Sequence, residues 1–220
     1  MKKQELQNFY NSTAGSREKW RRRNRFYHHS LERYFSFIIP ENSRVVEIGC
    51  GLGDLLNAVH PEDGLGIDFS PAILELAQKK HPGLRFFLAD AEELTPDEKF
   101  DYVIMSDLAG CLWDVQKALH NIRNLCHSRT RLVISNFNYL WEPFMLLGEL
   151  LHVKLSQPKQ NWLSGADLDN LLQIEGFQVV TVQKKLLFPK YIPVFNFLVN
   201  RVLANLPLIN SLDLVNLIIA

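Results

Sequence analysis

Residues Val45-Val46-Glu47-Ile48-Gly49-Cys50-Gly51-Leu52-Gly53-Asp54 constrain the fold of this chain more than any other stretch. An apolar, β-branched run feeds straight into alternating glycines and then a helix, the way a buried strand turns at the carboxyl edge of a parallel sheet. Glycines at 49, 51 and 53 let the backbone take positive φ and leave no Cβ between main chain and ligand. This is a cofactor loop. A dinucleotide fingerprint needs G-x-G-x-x-G, its third glycine packing the helix while the helix N-terminus faces pyrophosphate. Asp54 stands in that third place, and Glu47 adds an acid two residues ahead of the first glycine. Two carboxylates disfavour pyrophosphate and suit a ligand carrying positive charge.

This Glu47-to-Gly53 run resembles the S-adenosylmethionine loop of class I, Rossmann-like methyltransferases. Other segments follow in the order that resemblance implies. Gly64 to Ser70 reads as a second strand ending in Asp68, 19 positions after Gly49, where a carboxylate can accept both ribose hydroxyls. Phe69 is then placed to pack on adenine. Phe86 to Glu92 gives a third strand whose end, at Asp90, Ala91 and Glu92, is where the family holds the adenine amino group. Phe100 to Asp107 is the fourth strand, opening at Ser106 towards the reaction site. The loop residues Glu47, Gly49, Cys50, Gly51 and Gly53 complete the cofactor set, Cys50 also reading as a small residue tolerated in the turn. An arginine-rich N-terminal helix and the Trp141-Glu142-Pro143 segment are similar to a bacterial subgroup found beside or fused to glycosyltransferases.

At 220 residues, 47% apolar and 22% charged, the chain suits one globular domain and excludes a disordered one. Cys50, Cys111 and Cys126 are few, odd in number and lack metal spacing, so neither a disulfide framework nor a metal site is expected. The polar N-terminus has no signal-like apolar run, which points to a cytoplasmic protein. Charge is unevenly spread. Residues 1–46 hold ten Lys/Arg against four Asp/Glu, and residues 47–114 hold four against fourteen. The acidic middle fits a cationic cofactor. The basic arm from Arg17 to Arg25 either meets an anionic partner or is a solvated helix face that complements the acidic part.

Helices are expected over 4–12, 17–38, 53–60, 71–80 and 112–126, alternating with strands whose fifth member spans 131–136. Such alternation with short links predicts a doubly wound, seven-stranded, mostly parallel sheet with an antiparallel last strand. A strongly apolar helix over 138–152 and one capped by Ser164 and ended by Gly176 precede strand six at 177–188, and 212–219 supplies strand seven. The whole is read as one domain, 1–220: an N-terminal helical lid (1–40), a cofactor-binding half (44–136) and a substrate-side half (137–220). Residues 189–211 form an apolar helical insert before the last strand, containing Ile192, Val194, Phe195, Phe197, Leu198, Val199 and Leu203. Lys190, Asn196, Asn200 and Arg201 keep it short of a membrane span. It reads as core or dimer packing, a substrate lid, or a peripheral membrane contact at the inner face.

Methyl transfer depends mainly on aligning donor and acceptor, and a base is needed only for a protonated, high-pKa nucleophile. No Asn-Pro-Pro-Tyr, Asp-Pro-Pro-Tyr or Pro-Cys pair follows strand four, so nucleic acid is not the expected partner. Asp107 sits where a base, or a residue touching the methionyl end, belongs, or else caps the next turn. His28 is a second catalytic candidate, set against surface decoration. Tyr10 and Trp20 resemble lid residues that close over the cofactor, or else anchor the helix. Asn136, Asn138, Tyr139 and Trp141 end strand five and are the acceptor-pocket candidates. The expectation is an S-adenosylmethionine-dependent methyltransferase of a small-molecule, sugar-linked or lipid-linked acceptor, acting on oxygen. The alternatives are a non-catalytic methyltransferase-like module and a nicotinamide oxidoreductase.

Overall fold

The structure is a computed structural model and describes residues 3–95, 98–152, 158, 161–192, 199–200 and 210–220. The strands are β1 (Arg44–Ile48), β2 (Asp63–Asp68), β3 (Arg85–Leu88), β4 (Phe100–Ser106), β5 (Cys126–Phe137), β6 (Thr181–Lys185) and β7 (Val215–Ile219). They form one seven-stranded sheet in the order β3-β2-β1-β4-β5-β7-β6. The pairs through β5 are parallel, whereas β7 runs antiparallel between β5 and β6. This is the doubly wound fold with an antiparallel last strand that the alternation predicts.

Side chains that alternate along the strands divide between the two faces. Val46, Val103, Met105, Leu132 and Ile134 face one helical layer, formed by α6 (Val115–Arg123) and α8 (Gly165–Ile174). Their neighbours Val45, Ile104 and Val133 face α3 (Arg25–Ile38) and α4 (Asp54–Ala58). Phe35 of α3, fully buried, anchors that layer. The order reverses at β1, so the crevice opens at the carboxyl ends of β1, β2 and β4, where open α/β sheets bind ligands.

Several expected elements differ in their bounds, β5 being longer at its start (Cys126–Phe137) and α6 and β7 shorter, and two of the differences have a visible local cause. The helix over 17–38 is two, α2 (Arg17–Arg23) and α3, broken at Asn24, whose side chain donates to the Trp20 carbonyl at 3.1 Å. Strand six is only the central part of 177–188. The apolar helix α7 (Glu142–Leu150) starts after a 3-10 turn at Tyr139–Trp141, because the Asn138 side chain caps that turn by accepting from Leu140 N–H at 3.2 Å. Elsewhere α5 spans Pro71–Lys80 as the spacing implies. Ser164 and Asp167 cap α8 reciprocally. Of the insert over 189–211, residues 193–198 and 201–209, with Val194, Phe195, Asn196, Phe197, Leu198, Arg201 and Leu203, lie outside the described residues.

Candidate active site

A cavity of about 520 Å³ sits at the crevice, floored by the glycine loop and roofed by α1 (Lys3–Thr13), α2 and the start of α3, with α7 on its far side. The loop is held from below. Gly49 and Cys50 N–H groups donate to the Ile67 carbonyl at 2.7 and 3.0 Å. All three loop glycines have positive φ, but they serve different ends. A Cβ on Gly49 would strike Leu108 at 2.8 Å, and one on Gly53 would strike Phe86 at 2.9 Å. A Cβ on Gly51 would enter the cavity, meeting only Arg17 Nη1 at 4.0 Å.

The acids at the strand ends do separate jobs. Asp68, 8% exposed, lines the cavity and clamps the loop: its Oδ2 accepts from Gly51 N–H and its Oδ1 from Ser70 N–H, both at 3.0 Å. Burial raises its pKa, opposed by the Ser70 N–H and the Arg17 guanidinium. Glu47 is buried too, and its Oε2 accepts from Leu56 N–H at 3.0 Å, capping α4, whose own N-cap is glycine. Its pKa is pushed well up by burial. Asp54 also lines the cavity, but Arg21 (2.7 Å), Lys80 (2.9 Å) and His81 (3.2 Å) surround its carboxylate. At the end of β3, Asp90 and Glu92 line the wall with Ala91, and Lys3 Nζ reaches their carboxylates at 2.8 and 3.1 Å.

The roof is aromatic and basic. Tyr10 packs edge-on against Phe69 at 5.4 Å, and Arg17 lies 4.9 Å over the Tyr10 ring. Burial, then Cys111, holds the Tyr10 hydroxyl protonated. Arg17 Nε is buried and has no hydrogen-bond partner among the described residues. Trp20 lines the roof beside it. Deeper in, Tyr27 of α3 donates a hydrogen bond to Asp107 Oδ2, while Ser135 Oγ donates to Asp107 Oδ1 at 3.1 Å and lies 2.9 Å from Ser106 Oγ. Asp107 itself adopts φ 52°, a left-handed conformation uncommon outside glycine, asparagine and aspartate. Next to Tyr27, His28 lines the cavity, and burial and Arg21 lower its pKa to about 4, so it is neutral near pH 7.

The structure brings Tyr10, Trp20, His28, Glu47, Gly49, Cys50, Gly51, Asp68, Phe69, Asp90, Ala91, Glu92, Ser106, Asp107 and Trp141 to one cavity. Gly53 lies behind it against Phe86. Asn136 turns to the Leu163 and Phe137 carbonyls, Asn138 ties Ser211 and Asp213, and Tyr139 is exposed; none of the three lines the cavity. Sequence reasoning missed Tyr27, Arg17, Lys3 and Lys190 as site residues. Tyr27 is indistinguishable from an apolar stripe along α3, and Arg17 from its basic neighbours, until the helices fold over the loop.

The family model described as a methyltransferase domain matches residues 19–182. The chain belongs to this family. A Mycobacterium leprae phthiotriol/phenolphthiotriol dimycocerosates methyltransferase is 43% identical over 75 residues, 31% of this chain and 28% of that protein. A Bradyrhizobium diazoefficiens ubiquinone biosynthesis O-methyltransferase is 28% identical over 109 residues, 47% of this chain and 43% of that protein. The chain thus spans less than half the length of these curated relatives. Among solved structures, a Thermotoga maritima S-adenosylmethionine-dependent methyltransferase superposes with TM-score 0.73 at 20% identity, covering 97% of both chains. The Synechocystis magnesium protoporphyrin IX methyltransferase, solved with bound S-adenosylhomocysteine, gives 0.65 at 16% identity, covering 98% of this chain and 97% of that one. These two likenesses carry the methyltransferase fold.

Proposed function

We propose that the chain is an S-adenosylmethionine-dependent methyltransferase that methylates an oxygen on a small or lipid-linked acceptor. The carrying observation is the space in front of Gly51, which a side chain would fill and which Asp68 and Arg17 border. The residues present fit the cofactor. Asp68 would take the ribose hydroxyls, Asp90 and Glu92 the adenine amine, and Arg17, with its unpartnered Nε, the carboxylate of the methionyl end. Bound there, S-adenosylmethionine supplies an electrophilic methyl on a cationic sulfur. Tyr10, Phe69 and Trp20 shut out water above it.

Asp107 takes the proton from the acceptor hydroxyl. Tyr27 donates to one of its carboxylate oxygens and Ser135 to the other, which fixes the orientation of the group that accepts the proton. Tyr27 stays neutral, its pKa raised by burial and by Asp107, so it serves as a donor to Asp107. The apolar wall at Trp141, Phe144 and Met145 supports a lipid-linked acceptor, and the mycobacterial relative is named for methylating phthiotriol and phenolphthiotriol dimycocerosates. A sugar-linked acceptor rests on the subgroup resemblance alone.

Calorimetric titration with S-adenosylmethionine tests the donor site, and mass spectrometry of lipid extracts incubated with a heavy-methyl donor tests transfer. Micromolar-range binding and a labelled lipid are expected. Asp107→Asn keeps donor binding but lowers the transfer rate by about 100-fold or more. An absence of binding heat, or a variant as fast as the parent, overturns the reading.

A further inference from the structure

The helix α7 is built inside out. None of its residues is buried, and Phe144, Leu146, Leu147, Leu150 and the following Leu151 are all exposed, Leu150 by 74%. At 3.6 residues per turn these five, with Pro143, fall within one arc of roughly 160°. The acids Glu142 and Glu149 lie off that arc and are partly covered. A helix on a water-facing surface carries the opposite pattern, charge outward and apolar inward. The inner side of α7 is already in use, because Met145 and Gly148, with Trp141 just before the helix, line the cavity, and Phe144 at the edge of the arc reaches it too.

Beside this face stands concentrated positive charge. Arg17 and Arg21 turn into the cavity, but Lys19, Arg22, Arg23 and Arg25 stay exposed, Arg22 with 80% of its side-chain surface free. The two features are joined. Arg23 Nη1 donates to the His152 carbonyl at 2.9 Å, just past the end of α7, and Lys190 Nζ donates to Asn24 Oδ1 at 2.6 Å. Tyr191 and Ile192, both exposed, continue from Lys190, with Tyr191 resting 5.8 Å from Phe26. An outward apolar face rimmed by arginine, lysine and tyrosine is the chemistry of a helix lying in a lipid interface, with apolar side chains in the acyl boundary and cations at anionic headgroups.

We propose that α7 and the adjoining basic run seat the mouth of the cavity on an anionic membrane surface, so that an acceptor with an apolar tail enters from the bilayer. This rests on the methyltransferase reading for the acceptor, but not for the docking. The occupant is the lipid surface, because a second copy of this chain would set the same exposed cations against one another.

Co-sedimentation of the full chain with phosphatidylcholine vesicles, with and without phosphatidylglycerol, tests it. The protein pellets with the anionic vesicles, and added salt weakens binding. Leu147→Asp with Leu150→Asp, and separately Arg22→Glu with Arg25→Glu, lower the bound fraction by about fivefold or more. None of the four residues lines the cavity, so S-adenosylhomocysteine titrates each variant as it does the parent, which verifies folding. A chain that pellets but binds no S-adenosylhomocysteine keeps the docking and loses the methyltransferase reading. Pelleting equal in parent and variants, or none with anionic vesicles, overturns the proposal. So does light scattering in which the leucine variant splits a dimer, since α7 is then covered by a second copy.

Discussion

Gly51 and Gly53 share a backbone conformation and differ in what lies in front of them. An alanine at either position carries a left-handed φ and costs about 1–2 kcal/mol. At 53 the added methyl also meets the Phe86 ring at 2.9 Å, whereas at 51 its nearest neighbour is 4.0 Å away. Gly53→Ala is therefore expected to lower the melting temperature more than Gly51→Ala. Donor affinity moves the other way, falling at least about tenfold for Gly51→Ala, since its methyl occupies the ligand's space. Melting curves and calorimetry on the two variants check the pair. The glycine turn and the positions of the acids around it could be located from spacing because each is local, a strand end and the turn after it. Asn136, Asn138 and Tyr139 show the limit of that logic. They sit at a strand end facing the crevice in sequence terms, yet the Phe137 and Leu163 carbonyls take the Asn136 amide, the segment before β7 takes that of Asn138, and Tyr139 is exposed.

Short helices need help at their ends, and α4, five residues long, takes it from the preceding strand. Glu47 reaches past the glycine loop to cap Leu56 N–H, so one carboxylate couples β1, the loop and α4. Glu47→Ala leaves a buried N–H unsatisfied and is expected to cost about 1–3 kcal/mol. Glu47→Gln keeps an acceptor and removes a buried acid. Burial raises the folded pKa of Glu47, so the folded chain binds its proton more readily than the unfolded one. The stability this confers is present below the ordinary glutamate range and is lost as pH rises through the folded value. Glu47→Gln is expected to melt at or above the parent's temperature at pH 7 and to flatten that loss, as denaturant titrations across pH would reveal. A cap supplied by a residue nine positions earlier has no signature in the sequence. The Ser164–Asp167 box three apart does, and α8 begins where it predicts.

Across the molecule, the uneven charge becomes an ionic seam between the N-terminal helices and the acidic domain. Lys3 joins Asp90, Glu92 and Glu93, Arg21 joins Asp54, and Glu18 meets Lys80. Part of the basic arm thus complements the acidic domain, as one of its two sequence readings had it, while Lys19, Arg22, Arg23 and Arg25 stay exposed to solvent, Arg22 pairing with Glu18 and Arg23 with the His152 carbonyl. Composition alone cannot sort the two groups, because the sorting depends on which side of α2 faces the cavity. The roof helices rest on that cavity as well as on the core, so whatever fills it braces them. Trypsin is expected to cut within Arg21–Arg25 first, and S-adenosylhomocysteine at a hundred times its Kd to slow that cleavage, adding up to about 2.7 kcal/mol of stability. Equal cleavage rates with and without ligand would contradict this. A protein whose front door is propped by its own fuel wears out sooner when starved, so its abundance in a cell should track the supply of methyl donor.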